Sequence, residues 1–396
     1  MTDTSRRDFM KKGFAAGLAL STSGAVTRKT YAAVTSANSR IVFRDLGSTG
    51  FKASEMGFGV LHITDTSLLH AAIDSGINYF DTAHSYMNGK CEETLGEVLK
   101  TRRDEVFVTT KIGRGDPAKM TRDFEQSLRR LKTDCVDCLL LHGAGMDSMT
   151  NDDIKSVFET AKKDGKTRFV GVSTHDNDGV PKEVATSGFW DMLTIPYNYF
   201  SPPITAERIK QAREAGVAVV GMKNLITIQR PRKPYPDIRT KKMTGVSNQQ
   251  ALLKWALNNP YIDTVIPGIS SFEHLADDIA VMGEKLTFGD REVLKKYAGD
   301  AGTIYCRGIV GCDGCLEQCP KGVNLGDLNR CLNYASGYCS EALAWENYRM
   351  LPPSSRIEQC GDCETCLVEC RNGLALTDNI RRAKALFGGD VNPSAS

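Results

Sequence analysis

Four residues of different chemistry stand at or just beyond the ends of short apolar runs. Asp81 falls within Tyr79–Thr82, Tyr86 follows it by five residues, Lys111 ends Val106–Lys111, and His142 ends Cys138–His142. An acid, a phenol, an amine and an imidazole together form a proton-handling set. A free tyrosine, with a pKa near 10, is a poor acid or base at neutral pH. A neighbouring ammonium and imidazole can tune it, and a carboxylate can anchor the ammonium. Taken singly, the Asp reads as a cap and the His as a satisfied polar residue; the four in this order read as a site. A second concentration of chemistry lies at the other end of the chain. Of 13 cysteines only Cys91, Cys135 and Cys138 precede residue 300, and the other ten fall between Cys306 and Cys370. The early three read as packing residues, since an unpaired cysteine behaves as a small hydrophobe. The late ones include two tight runs, which are spacings for metal-bound thiolates.

The elements that must position the first set are legible as a repeat. From about residue 41 to 283, apolar runs at Met56–Val60, Tyr79–Thr82, Val106–Lys111, Cys138–His142, Phe169–Ser173, Met192–Pro196, Val217–Met222 and Thr264–Pro267 alternate with helical patterns. Those patterns include Glu92–Leu99, Met120–Leu131, Ile154–Lys163, Ala206–Ala215 and Gln249–Asn258. Near-continuous apolar runs are the pattern of parallel strands buried on both faces. Eight strand–helix units in about 230 residues predict an α/β fold of the (β/α)8 TIM barrel type, whose chemistry sits at the C-terminal strand ends. A doubly wound sheet would carry a glycine-rich first turn, and none follows the first strand. Arg40–Lys52, with Gly47 and Gly50, predicts a hairpin ahead of the barrel.

The run Phe80-Asp81-Thr82-Ala83-His84-Ser85-Tyr86, with Gly89, Glu92 and Leu95-Gly96, resembles the aldo-keto reductase signature. Thr110-Lys111, Leu139-Leu140-Leu141-His142, Gly171-Val172-Ser173 and Ile266-Pro267-Gly268 are similar to later motifs of that family, over about residues 41 to 285. The resemblance implies an oxidoreductase that interconverts a carbonyl and an alcohol with NADP or NAD. It implies Tyr86 as proton donor, Lys111 and Asp81 as its tuning pair, and His142 as the group that orients the carbonyl. The cofactor positions it implies are Ser173, Thr174, Thr194, Met222, Lys223, Gly268, Ser270, His274 and Asp278. Several depart from the family pattern. Thr174 stands for an asparagine, Thr194 for a glutamine, Met222 for a stacking aromatic residue and His274 for the arginine that grips a 2′-phosphate. Without that permanent guanidinium the choice of NADP over NAD stays open.

After Gly302 the composition changes. Cys360-x2-Cys363-x2-Cys366-x3-Cys370 reproduces the bacterial ferredoxin run, and Cys312-x2-Cys315-x3-Cys319-Pro320 repeats it without its first cysteine. In two-cluster ferredoxins the fourth cysteine of each run serves the other cluster. By that rule Cys319, Cys360, Cys363 and Cys366 hold one [4Fe-4S] cluster. Cys312, Cys315 and Cys370 await a fourth ligand, which Cys306 would supply; otherwise that site is empty or holds three irons. Disulfides and zinc are the competing uses of these thiols. Cys331 and Cys339 belong to no motif.

At the start, Ser5-Arg6-Arg7-Asp8-Phe9-Met10-Lys11 precedes a weakly apolar run, Gly13 to Val26, resembling a twin-arginine export signal. That run is too short and polar to span a membrane, so no stable membrane insertion is expected. Lys+Arg 50 against Asp+Glu 48 gives a net charge of +2, which offers no general attraction for nucleic acid. The expected organisation is a signal over residues 1–37, a barrel over 40–300 and a ferredoxin-like helical module over 301–390, docked through a short linker near Gly299–Thr303. The expected partners are a small carbonyl or alcohol substrate and an electron-transfer partner, in the periplasm or otherwise outside the cytoplasm. A competing reading is an electron-transfer or binding protein whose barrel no longer uses free NAD(P)H. The Asn224–Thr244 segment, with Arg230, Arg232, Lys233, Arg239, Lys241 and Lys242, reads first as a solvated basic loop over the pocket and second as a lure for an anionic substrate.

Overall fold

The computed structural model describes residues 41–225, 242–243, 246–301, 306, 312, 315, 319–336, 341–361, 363 and 366–388. The Arg6-Arg7 signal, Cys339 and most of the basic segment lie outside them. A hairpin of β1 (Phe43–Asp45) and β2 (Lys52–Ser54) comes first, followed by β3 (Phe58–Gly59), α1 (Thr66–Asp74), β4 (Tyr79–Asp81) and α2 (Lys90–Arg102). Next come β5 (Phe107–Gly113), α3 (Pro117–Leu131), β6 (Val136–His142), the single turn α4 (Met146–Met149), α5 (Asp152–Lys163), β7 (Thr167–Ser173), α6 (Gly179–Ser187), β8 (Met192–Pro196) and α7 (Pro203–Glu214). The barrel region ends with β9 (Ala218–Met222), a two-residue ribbon of β10 (Lys242–Met243) and β11 (Val246–Ser247), α8 (Asn248–Leu257), β12 (Thr264–Ile266), α9 (Phe272–Ile279) and α10 (Phe288–Ala301).

The eight strands β3 to β9 and β12 form one parallel sheet in the order β12-β9-β8-β7-β6-β5-β4-β3. A parallel bridge from Met56 to Val265 joins its two edges. The expected barrel is present, and each expected strand lies within three residues of the observed one. The strands are apolar on both faces because both are covered. Tyr79, Phe107, Cys138, Leu140, Met192, Ala218 and Val220 pack inside the barrel, whereas Phe80, Val108, Leu139, Leu141, Val172 and Val219 face the helices. Local chemistry starts the helices: Asp116 caps α3 ahead of Pro117, Asn151 caps α5, and Ser247 with Gln250 forms a capping box on α8.

The hairpin closes the N-terminal end of the barrel, where Leu46 and Ala53 join the interior cluster. Gly47 has φ +53°, and a Cβ there would lie 2.4 Å from Ala218 N, so only glycine fits. Asp263 holds the plug by accepting from Gly47 N and Val219 N, each at 2.9 Å, and from Arg213 Nε at 2.6 Å. Cys91 and Cys138 are buried as packing residues. Cys135 corrects that reading in part: it is half-buried, just ahead of β6, with its thiol donating to the Val136 carbonyl at 3.2 Å.

Beyond the barrel the described residues form α11 (Leu325–Ser336), α12 (Glu341–Arg349) and α13 (Leu376–Phe387), with short 3-10 turns at Pro353–Ser355 and Ile357–Cys360. No strand occurs among the described residues of this module, so its likeness to ferredoxin rests on cysteine spacing alone. Leu328, Leu332, Ala344, Tyr348, Ile357 and Ala383 form its core, and the Tyr348 and Phe387 rings stack at 4.2 Å.

Candidate active site

The C-terminal strand ends open into a cavity of about 110 Å³, and Asp81, Tyr86, Lys111 and His142 all line it. The parallel register creates this convergence by setting Asp81 level with Thr109 on β5 and His142 level with Gly113. Lys111, 2% exposed, donates to an Asp81 carboxylate oxygen and, at 2.7 Å, to the Thr82 carbonyl. Its ammonium stands 5.1 Å from the centre of the Tyr86 ring, and His142 meets that ring edge-on at 5.7 Å.

The other signature residues have structural reasons. After Tyr86 the chain turns through Met87 (φ 50°), Asn88 (φ 53°) and Gly89 (φ 90°) before α2 begins. Arg130 holds this turn, donating to His84 O at 3.0 Å and Asn88 O at 3.3 Å and pairing with Glu92 at 3.3 Å. Glu92 in turn accepts from Thr110 Oγ1 at 2.6 Å, which ties the turn to β5. A Cβ on Gly89 would strike the Arg130 guanidinium, and one on Gly96 would lie 2.2 Å from Arg130 O. Those glycines let α2 and α3 close on each other and fix where Tyr86 points.

The protonation states follow from burial. Burial drives the Tyr86 phenol well above its ordinary range, with the Asp81 charge adding to the effect, so Tyr86 carries its proton. Burial first, then Lys111, Lys223 and Arg330, push His142 down to about 3, so its imidazole is neutral. Burial raises Asp81, opposed by Lys111.

Among the implied cofactor residues, Ser173, Met222, Lys223 and Gly268 line the same cavity. Thr174 lines the adjoining one and donates to Ala144 O at 2.8 Å. Thr194 is fully buried beside Ser173 in the β7/β8 register, and its hydroxyl has no partner among the described residues. Ser270, His274 and Asp278 do not line the central cavity. Ser270 Oγ and His274 Nδ1 lie 3.1 Å apart, and buried Asp278 accepts from Gln249.

The module contributes residues that the sequence did not reveal. Tyr334 of α11 and Leu343 and Asn347 of α12 line the catalytic cavity, and Lys223 donates to the Tyr334 hydroxyl. No motif marks them, because they reach the site only through docking.

The cysteines fall into two groups. Cys319, Cys360, Cys363 and Cys366 line one small cavity with Leu325 and Ile380. Burial and then Cys319, with Cys363 and Cys366 adding, raise the Cys360 thiol. Burial and then Cys312, Cys370 and Cys366 raise Cys315 to about 11. Cys306 packs half-buried against the same core. The described cysteines form no disulfide, and no three described His, Cys, Asp or Glu side chains converge as for a single metal ion.

The aldo/keto reductase family model matches residues 61–227. An uncharacterized oxidoreductase of Bacillus subtilis is 26% identical over 299 residues, spanning 64% of this chain and 95% of that protein. L-galactose dehydrogenase of Arabidopsis thaliana is 26% identical, over 65% of this chain and 93% of its own length. Among solved structures, the holo form of an aldo-keto reductase from Bacillus halodurans is 26% identical with a TM-score of 0.55, covering 65% of this chain and 96% of that one. A Klebsiella pneumoniae aldo-keto reductase in complex with NADPH is 25% identical with a TM-score of 0.56, covering 65% and 95%. Fold, strand-end chemistry and sequence all agree over the same stretch of chain: in its barrel this protein is similar to the oxidoreductases of the aldo/keto reductase family.

Proposed function

We propose that the protein interconverts a small-molecule carbonyl and its alcohol with NADP or NAD, and that it works outside the cytoplasm with an iron–sulfur cluster in its C-terminal module. The observation that carries the reductase reading is the convergence of Tyr86, Lys111, Asp81 and His142 on one cavity. The residues around that cavity suit a nicotinamide: a methionine thioether to cover a ring, Ser173 beside it, and the orphaned Thr194 hydroxyl next to Ser173. Thr174, Lys223, Gly268, Ser270, His274 and Asp278 complete the assigned cofactor set. The NADPH in the Klebsiella relative supports NADP, while His274 in place of an arginine serves either dinucleotide.

When bound, the nicotinamide supplies the hydride. The chain's own residues handle the oxygen. Neutral His142 orients the carbonyl, and Tyr86 Oη gives it a proton as the oxygen becomes negative. The phenolate left behind lies beside the Lys111 ammonium, which Asp81 holds in place, and it regains its proton from solvent. Replacing Tyr86 by Phe is expected to leave the fold intact and to lower carbonyl reduction by roughly two to four decades. Unchanged turnover with an accepted aldehyde would refute the role.

We assign a [4Fe-4S] cluster to Cys319, Cys360, Cys363 and Cys366, because these four line one cavity. Iron binding would displace the proton that burial favours on Cys360. Cys312, Cys315 and Cys370, with Cys306, form a second candidate site. A cluster there would carry one electron at a time or brace the module. Loading it before export fits a twin-arginine route, which we assign on the Arg6-Arg7 pattern. Arg6-Arg7→Lys-Lys is expected to leave the protein in the cytoplasm with iron still bound, as cell fractionation and iron analysis would show.

A further inference from the structure

Where the module closes over the catalytic cavity, Lys223, next to Met222, and Arg330 make an unbalanced set of charges. Lys223 follows β9 with φ 54°, its carbonyl held by Asn198 Nδ2 at 3.0 Å. Its ammonium donates to the Tyr334 hydroxyl and stands 4.3 Å from that ring's centre; no carboxylate among the described residues bonds to it. One turn earlier on α11 is Arg330, whose side chain is 11% exposed. One of its terminal nitrogens meets Asp327 at 3.0 Å, and its Nε has no partner among the described residues.

Arg330 lines a second cavity of about 330 Å³ that shares His142, His175 and Asn347 with the catalytic one. The Nε2 of His175 is buried there without a partner among the described residues. The other charges on this cavity are already engaged. Arg114 faces Asp147 at 3.5 Å, and Asp176 accepts from the amides of Asp178, Gly179 and Val180. Lys111 is matched by Asp81. Arg330 is thus met by one carboxylate, Asp327, and no described carboxylate pairs with Lys223. Burial first and then the Arg330 charge hold Lys223 well below an amine's ordinary range. A buried cation without a counter-charge is costly, and an arriving anion relieves the cost. An arginine with free donor capacity is well suited to a carboxylate.

We propose that the carbonyl substrate carries a carboxylate and that Lys223 of the barrel and Arg330 of the module seat it beside His142. The natural substrate pair is then an oxo acid and its hydroxy acid, and the cysteine-rich module is part of the specificity pocket. This rests on the reductase reading above.

The test uses the full holoprotein with phenylglyoxylate and its methyl ester, which share a carbon skeleton and differ in charge. Turnover is measured together with binding by calorimetry, and NADPH affinity is measured by fluorescence. The wild type is expected to bind and turn over the acid better than the ester. Arg330→Gln is expected to lower kcat/KM for the acid about ten- to a hundredfold, through KM, while leaving the ester and NADPH binding unchanged; Arg330→Lys restores much of the loss. Several results overturn the proposal: a wild type that binds the acid no better than the ester, an equal loss for both probes, or a loss of NADPH affinity that marks the seat as a phosphate site. Arg330-dependent binding of the acid without turnover of either probe would keep the seat and defeat the reductase reading. The acid–ester comparison on wild type decides the matter even where Arg330→Gln does not fold.

Discussion

The barrel and the cysteine-rich module bury their cores with different materials. The barrel has eight parallel strands, apolar on both faces, with Tyr79, Phe107 and Leu140 filling its interior. Its buried polar groups are largely answered from within the chain: Asp263 by Arg213 and two amides, Glu92 by Thr110 and Arg130. The module's described elements are three helices and short turns, and its core includes the thiols of Cys315, Cys331 and Cys360. The difference teaches that a barrel of this kind is complete as a polypeptide. The module's core includes thiols, which the proposed cluster would engage. Docking then makes one site of the two parts, since Tyr334, Leu343 and Asn347 close the cavity that holds Tyr86.

Removing the proposed cluster should break the comparison most visibly. Anaerobically prepared protein is expected to carry at least about four irons and four sulfides per chain. Cys363→Ser should abolish that cluster and speed amide exchange across α11 to α13 by at least about tenfold, while the strands of the barrel keep their protection. Cys91→Ser should leave iron unchanged. Equal loss of iron in both variants would refute the ligand assignment.

A second variant strikes the barrel alone. Lys111→Met leaves the Asp81 carboxylate, 2% exposed, without its ammonium. Breaking a buried pair in this way costs about 3–5 kcal/mol, readable in urea unfolding near pH 7. The module's iron content should not change. A loss of less than about 1 kcal/mol would mean that water or a rearranged partner already serves Asp81.

The smallest effect sharpens the account of His142. Burial lowers its folded pKa to about 3 from an unfolded value of 6.5. Between those values the unfolded chain takes up a proton that the folded chain refuses, so this residue costs no stability above pH 6.5 and costs more as pH falls. From pH 6.5 to 5 the penalty grows by about 2 kcal/mol, at about 1.4 kcal/mol per unit. His142→Gln removes it, so the variant should gain on wild type by about that amount over the same interval. A constant difference between the two proteins would show that His142 titrates normally.

Much of this architecture was legible in the sequence for a local reason. Strands buried on both faces have to be continuously apolar, so Cys138–His142 and Met192–Pro196 marked themselves, and caps such as Asp116 and Asn151 lie next to the helices they start. The chemical identity of Asp81, Tyr86, Lys111 and His142 was fixed by residue type at strand ends, and the two cysteine runs by spacing. Their convergence, by contrast, was decided by the register of β4 to β6, a property of paired strands that no single run contains. The module's share of the pocket was invisible for a stronger reason. Tyr334 and Arg330 sit on an amphipathic helix like many others, more than 100 residues from Lys223, and only docking brings Tyr334 within reach of the Lys223 ammonium. Local patterns report what one segment must bury; which segments then face each other across a cavity is set by the packing of the whole chain.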